Sequence, residues 1–297
     1  MVGQLDSDLD KPLRCRRQVC SYFRMGVGED MAKEASREVE LPEDLAAIFR
    51  LDGQYAAVTG AASGLGKAIA LGFAHFGANV ACLDIDLDGA RRTAGVVAEL
   101  GRQSSAIPID VRDWESVRSS AEEVRSWAGR VDVVVNVPGV NRRKPVLELE
   151  PEEFSEVLNV NLLGLFHCAK AFGELMVPSG RGRIINMASI FGLVAMERQG
   201  AYASSKGAVV QLTRVLALEF APHNVQVNAL APAYFTTPLV RQIMDDREWY
   251  EEVVRRIPQG RFGETWEIVG PAVFLASRAS SFVTGAVLLV DGGWTAA

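Results

Sequence analysis

Tyr202 and Lys206 stand four residues apart in Tyr202-Ala-Ser-Ser-Lys206, a spacing that puts both side chains on one face of a helix. A phenol ordinarily titrates near about 10, so alone it exchanges protons poorly at neutral pH. An ammonium fixed beside it favours the phenolate and lowers that value. A drop of about three units corresponds to roughly 4 kcal/mol, which a water-poor site can supply. Such a pair takes a proton from an alcohol or returns one to a ketone. Asn161 is a second polar group in an unusual place. It interrupts apolar, helix-like text containing Val157, Leu158 and Leu165, where a buried amide must find hydrogen-bond partners.

A third constellation binds rather than reacts. Thr59-Gly60-Ala61-Ala62-Ser63-Gly64-Leu65-Gly66 follows the strand-like Tyr55–Thr59 and leads into the helical Lys67-Ala68-Ile69-Ala70. Gly60 permits a tight turn, Gly64 lets backbone approach a ligand, and Gly66 lets the helix pack on the strand. The free N–H groups of that helix end make an anion site suited to a pyrophosphate. The next strand ends in Asp84, 18 residues beyond Gly66. A carboxylate there accepts hydrogen bonds from ribose hydroxyls and repels a 2′-phosphate. The expectation is a nicotinamide dinucleotide, NAD before NADP, with Asp86 and Asp88 as solvated strand-end acids.

The elements that must hold these groups alternate along the chain. Strand-like runs fall at Tyr55–Thr59, Ala78–Asp84, Ser104–Ile109, Val131–Asn136, Gly182–Ala188, Val225–Leu230 and Ala286–Val290. Most are nearly continuous apolar segments, as strands buried on both faces should be. Helical stretches separate most of them, which implies right-handed crossovers. The fold expected is α/β: a single doubly wound Rossmann-type domain, a parallel sheet of about seven strands with helices on both faces. It occupies residues 51–297. Residues 1–50 carry mixed charge, Met25, Met31 and one short helical candidate, Leu41–Phe49, and read as a poorly ordered extension.

Composition narrows the partners. The chain has 297 residues, 48% of them hydrophobic and 23% charged, with a net charge of −6, which speaks against nucleic acid. No uninterrupted apolar run approaches the roughly 18–20 residues of a membrane span, and Met1–Asp10 lacks the apolar core of a secretory signal. Cys15, Cys20, Cys82 and Cys168 follow no zinc spacing, and His75, His167 and His223 are far apart. The expectations are reduced thiols, a cytoplasmic protein and no metal.

These motifs, in this order and spacing, resemble the short-chain dehydrogenase/reductase family over residues 51–297. Beyond the turn from Gly60 through Ser63, Gly64 and Leu65 to Gly66, the resemblance covers several landmarks. They are Asp110-Val111, Asn136-Val137-Pro138-Gly139, Asn161 in Asn-Val-Asn-Leu, Ser189 in Met-Ala-Ser, Tyr202-x-x-x-Lys206, and Pro232-Ala233 with Thr237. It implies Asn161, Ser189, Tyr202 and Lys206 as the catalytic set. Ser189 donates to the substrate oxygen, and Lys206 also holds the nicotinamide ribose. It implies that Asp84, Asp110, Val111, Asn136, Gly139, Tyr202, Lys206, Pro232, Ala233 and Thr237 join the glycine turn in binding the cofactor. Asn161 either ties two backbones together or, as in the family, helps hold a water linking Lys206 to solvent. Val137-Pro138 stands where the family has Asn-Ala, and Ala233 where it has glycine. If position 233 needs a positive φ, alanine costs on the order of 1 kcal/mol.

For the substrate, Arg142 and Arg143 can clamp a carboxylate by paired hydrogen bonds, and the stretch from about Tyr234 to Glu264 can form a lid. Gly139–Pro145 and the C-terminal text resemble the sugar-acid branch of the family. Three readings follow: oxidation of a sugar acid or polyol; reduction of a 3-oxoacyl thioester, with Arg142, Arg143 and Lys144 docking an acidic carrier protein; and a cofactor-binding regulator without turnover. The resemblance also implies a homotetramer.

Overall fold

β-branched and small apolar residues dominate the seven strands in a computed structural model that describes residue 41 and residues 43–296. The strands are β1 (Tyr55–Thr59), β2 (Asn79–Asp84), β3 (Ser104–Pro108), β4 (Val133–Asn136), β5 (Gly182–Met187), β6 (Val225–Pro232) and β7 (Val287–Val290). They form one sheet in the order β3-β2-β1-β4-β5-β6-β7, and every neighbouring pair is parallel. The expected seven-stranded doubly wound sheet is what the chain builds. Six of the fourteen strand ends move by one or two residues, β6 running on to Pro232. Residues 1–40 of the expected N-terminal extension lie outside the described residues, while Leu45–Phe49 forms a 3₁₀ turn.

Strand periodicity sorts the core into two layers. Ala56, Val58, Val133 and Val135 face one side, packed with Ile69 and Phe73 of α1 (Gly64–His75), Val97 of α2 (Leu87–Glu99) and Val273 of α9 (Val269–Ala276). Ala57 and Val134 face the other, packed with Val124 of α3 (Trp114–Ala128), Phe172 of α5 (Gly164–Ser179) and Leu216 of α6 (Gly200–Phe220). Helix starts are capped as the sequence allows: Asp86 accepts from Gly89 N at 2.9 Å, and Asp113 accepts from Glu115 N at 3.0 Å. Asp86 is thus a cap rather than a merely solvated acid.

Between α4 (Pro151–Leu158) and α5 lies a five-residue π-helical turn, Asn159–Leu163, where the sequence suggested an unbroken helix. Such single turns break the regular backbone ladder and occur often at functional sites. The whole helical run Pro151–Ser179 is long and apolar enough by length and composition to cross a bilayer. Half of its most apolar window is buried inside the protein, however, as for the central helix of a packed core. Two shorter helices, α7 (Pro238–Met244) and α8 (Arg247–Arg255), follow β6. They form the segment expected to act as a lid.

Candidate active site

The chain leaves β1 toward β2 on one side, and β4, on the other side of β1, leads toward β5. The connections therefore diverge between β1 and β4 and open a crevice beyond their carboxyl ends, where doubly wound sheets bind ligands. A cleft of about 470 Å³ opens there, lined by Gly60, Ser63, Gly64, Leu65, Gly66, Asp84, Asp110, Val111, Gly139, Tyr202, Lys206, Pro232, Ala233 and Thr237. They come from the ends of β1, β2, β3, β4 and β6, the turns that follow them, and α6. All were expected from the sequence.

The cleft fits a dinucleotide by its backbone. Gly60 and Gly64 adopt φ of +72° and +54°, conformations that favour glycine. A Cβ on Gly66 would overlap the Gly60 carbonyl oxygen. Ser63 caps α1 with no side-chain hydrogen bond, leaving the first N–H groups of the helix open to an anion. Asp84 Oδ2 accepts from Ala62 N and Oδ1 from Asp86 N, each at 2.9 Å. The carboxylate therefore braces the turn as well as edging the cleft. Arg91 and Arg92 pair with Asp88 and Asp86. Asp110 is gripped by the Arg112 guanidinium, with contacts of 2.9 and 2.6 Å, which holds its carboxyl below the usual range.

Ala233 does not have a positive φ, so the strain considered for alanine there does not arise. Its N–H donates to Val290 O at 3.1 Å. Val137 keeps its N–H bonded to Thr59 Oγ1 at 3.2 Å. Asn136 departs from expectation: it does not line the cleft. Its buried Nδ2 donates to Asn186 Oδ1 at 2.9 Å, and Asn186 Nδ2 donates to Thr213 Oγ1 at 3.0 Å. The end of β4 turns this amide inward, where it stitches β4, β5 and α6 together beneath the site.

The reactive groups converge from β5 and α6. Lys206 is fully buried, and its Nζ donates to Met187 O at 2.7 Å, 5.6 Å from the centre of the Tyr202 ring. The Ser189 hydroxyl accepts from Phe191 N at 3.2 Å and lies near enough to the Tyr202 phenol to act on its pKa. Burial pushes the Lys206 ammonium down to about 8. Burial also raises Tyr202, with the nearby Ser189 hydroxyl opposing it. Desolvation thus outweighs the lowering expected from Lys206, because the ammonium is itself drawn toward neutrality in the same dry pocket. Asn161 Oδ1 accepts from Val140 N at 2.8 Å, and its Nδ2 donates to Val140 O at 3.0 Å and Ser205 Oγ at 3.1 Å. Its side chain clamps the strand-end loop to α6.

Substrate-side expectations divide. Arg142 Nη2 donates to Glu156 Oε1 at 2.8 Å and Lys144 Nζ to Glu153 Oε1 at 2.6 Å. Arg143 instead lies with its guanidinium 4.2 Å from the centre of the Trp249 ring. The two arginines point to different neighbours and make no joint clamp, since alternating side chains of an extended loop leave in opposite directions. An aromatic group that the sequence did not assemble covers this side. Tyr234 lies 6.0 Å from Phe191, 5.5 Å from Trp249 and 5.7 Å from Trp294, and Phe191 lies 6.4 Å from Tyr202. Burial pushes the Tyr234 phenol up to about 12. The lid residues Tyr234 and Trp249 and the C-terminal resemblance that includes Trp294 hinted at this; Phe191 carries no signal in sequence. Among the described residues no three His, Cys, Asp or Glu side chains gather to hold a metal ion.

A switch-point cleft with an anion-binding glycine turn, an acidic second strand end and a Ser–Tyr–Lys set defines a nucleotide-cofactor oxidoreductase. A family model described as enoyl-(acyl carrier protein) reductase matches residues 60–295. The chain is 43% identical over 255 residues to galactitol 2-dehydrogenase (L-tagatose-forming) from Cereibacter sphaeroides, covering 85% of this chain and 99% of the relative. It is 38% identical over 251 residues to gluconate 5-dehydrogenase from Gluconobacter oxydans, covering 84% and 97%. A solved structure of a putative NAD(P)-dependent gluconate 5-dehydrogenase from Beutenbergia cavernae, with NADP bound at low occupancy, superposes with a TM-score of 0.81 at 44% identity, covering 84% of this chain and all of the other. The chain belongs to the short-chain dehydrogenase/reductase family.

Proposed function

We propose that the protein interconverts a secondary alcohol and a ketone on a sugar acid or polyol, with NAD preferred over NADP. The observation that carries this reading is that Tyr202 and Lys206 line the cleft edged by the glycine turn, with the Ser189 hydroxyl near the Tyr202 phenol. The relatives named for galactitol and gluconate support the substrate class.

Gly60, Ser63, Gly64, Leu65 and Gly66 would hold the cofactor pyrophosphate, Asp84 the adenosine ribose, Asp110 and Val111 the adenine, and Lys206 the second ribose. The bound nicotinamide supplies the two-electron acceptor for the hydrogen on the carbinol carbon. The chain handles the remaining proton. Tyr202 accepts it from the alcohol hydroxyl as the carbonyl forms, and returns it in the reverse direction. Ser189 donates to the substrate oxygen and stabilises the charge developing there. The dry setting of Lys206 lets its charge respond to a neighbouring phenolate. The π turn at Asn161 is suited to holding a water between Lys206 and solvent.

NAD preference rests on the Asp84 carboxylate, which repels a 2′-phosphate, and on the engagement of Arg91 and Arg92 with nearby acids. The thioester-reductase reading loses support because Arg142 and Lys144 are tied to Glu156 and Glu153 and offer less to an acidic carrier. Exposed Leu163 and Phe166 on the helical run after β4, and exposed Val215 and Leu218 on the helix after β5, suit burial between subunits of a homotetramer. Buried free Cys82 and Cys168 suit a reducing cytoplasm. The decisive experiment screens aldonates, uronates, polyols and 3-oxoacyl thioesters with NAD⁺, NADP⁺ and their reduced forms. Turnover of a sugar acid or polyol with NAD⁺ is expected; thioester reduction alone would refute the reading.

A further inference from the structure

Three hydrogen-bonding atoms on the substrate side of Tyr202 are shut away from water without a partner among the described residues: Arg143 Nε, Trp249 Nε1 and Asn141 Oδ1. Two come from the loop after β4 and one from the lid helix α8, yet one chain of contacts joins them. Arg143 stacks on Trp249 at 4.2 Å, and Trp249 lies 5.5 Å from the Tyr234 ring. The Tyr234 phenol donates to Met196 Sδ at 3.5 Å and lies near enough to Gln199 for that side chain to act on its pKa; Gln199 in turn accepts from Asn141 Nδ2 at 2.8 Å. Tyr234 and Tyr202 both pack edge-on against Phe191. The three unmet atoms therefore belong to the wall beside the reactive phenol.

The neighbours of Arg143 sharpen the point. Arg142 and Lys144 each pair with a glutamate of α4. Arg143 makes no such ion pair among the described residues, and Glu252 and Asp246 act on it only at longer range. A cation stacked on an indole keeps its in-plane N–H groups available. Leaving buried donors and acceptors unmet is unfavourable, and stability alone would be served as well by apolar residues of the same shape. A ligand that satisfies all three must accept from a cation and from an indole N–H, and donate to an amide oxygen. A carboxylate with hydroxyls on the adjoining carbons does this. A neutral polyol can supply the donor but forms weaker bonds to the cation, because charge-assisted bonds are roughly twice as strong as neutral ones.

We propose that Arg143, Trp249 and Asn141 form the subsite for the acid end of a polyhydroxy carboxylate, with the Trp249 indole N–H the group that favours acids over neutral polyols. This rests on the reading that a sugar acid or polyol is oxidised at Tyr202, and it identifies which of the two the site prefers. Trp249 acts as a specificity residue in two ways: its face carries the guanidinium and its edge adds a donor. Because Trp249 is in α8, the subsite is complete only when the lid packs on the loop after β4.

The test uses the full chain, D-gluconate and its neutral analogue D-glucitol. With Tyr202→Phe saturated by NAD⁺, calorimetric titration should show D-gluconate binding more tightly than D-glucitol. Adding Trp249→Phe keeps an aromatic face for Arg143 but removes the N–H. It should weaken D-gluconate about tenfold, as loss of one bond to a charged group does, with a smaller change for D-glucitol. In the enzyme that retains Tyr202, the same change should raise KM for D-gluconate more than it lowers kcat. NAD⁺ affinity of the variant reports its folding. Equal weakening of both ligands, unaltered D-gluconate affinity, or no D-gluconate binding in the Tyr202→Phe complex would overturn the subsite. Trp249-dependent D-gluconate binding without turnover would support it while refuting oxidation of that acid.

Discussion

The two sides of the cleft are built on different principles. On the cofactor side, shape comes from the main chain: positive φ at Gly60 and Gly64, the close approach at Gly66, and an Asp84 carboxylate bonded to two backbone N–H groups. On the substrate side, shape comes from side chains of distant segments, with rings of Phe191, Tyr234, Trp249 and Trp294 packed against one another. Hydrogen-bonding atoms there remain unmet. Backbone geometry is shared by any sequence that makes the turn, whereas a side-chain wall changes with each substitution.

Tyr202→Phe tests the junction between the two halves and should have the largest effect. It should lower kcat about 10³-fold, within the usual range for a lost acid–base group, while NAD⁺ affinity by fluorescence titration stays nearly unchanged. A wild-type rate in this variant would separate the chemistry from the phenol.

Lys206→Met probes the buried charge. Lys206 has its folded pKa depressed, from 10.5 to about 8. Below about 8 it is charged in both folded and unfolded states, and its burial destabilises the fold in full. As pH rises from about 8 to 10.5 the unfolded chain binds more protons than the folded one, so the wild type gains stability. The methionine variant should therefore be more stable than wild type at pH 7, by up to about 3 kcal/mol at about 1.36 kcal/mol per unit. That advantage should shrink toward pH 10.5 in urea melts. A pH-independent difference would contradict a desolvated ammonium.

Gly66→Ala strikes the backbone half, where the added methyl meets a carbonyl that is part of the turn. It should cost about 1–3 kcal/mol, as overpacking does, read as a lower Tm together with weaker NAD⁺ binding. Asp84→Ser relieves the repulsion between one carboxylate and a 2′-phosphate. It should shift the NAD⁺/NADP⁺ affinity ratio about tenfold toward NADP⁺, equivalent to about 1.4 kcal/mol; an unchanged ratio would remove Asp84 from cofactor choice. Arg142→Ala, which breaks a half-exposed pair with Glu156, should change KM for D-gluconate by no more than about twofold, since such pairs contribute at most about 1 kcal/mol. A larger rise would return Arg142 to the substrate.

Much of this is legible in the sequence because it is local. Helix spacing alone places Tyr202 and Lys206 on one face, and glycine at 60, 64 and 66 announces a turn only glycine makes well. Asp84 follows at the end of the next strand. The seven strand-like runs alternate with helices, so the parallel sheet follows from crossover geometry. What stays hidden depends on direction and depth. Asn136 reads as a cleft residue until the end of β4 turns its amide inward onto Asn186 and Thr213. Arg142 and Arg143 read as a pair until α4 takes one and α8 the other. Spacing predicts a fall in the Tyr202 pKa, because it supplies the charge partner but not the loss of water that raises it.

The sequence by itself determined the class of chemistry, since a helical face, a glycine turn and a strand-end carboxylate each depend on residues a few positions apart. Tertiary structure alone decided the depth of Lys206, the π turn that seats Asn161, and the wall that joins Asn141 and Arg143 to Trp249. Those depend on packing between segments up to about a hundred residues apart. Contacts at that range follow from how whole elements settle against the sheet, which no local spacing encodes.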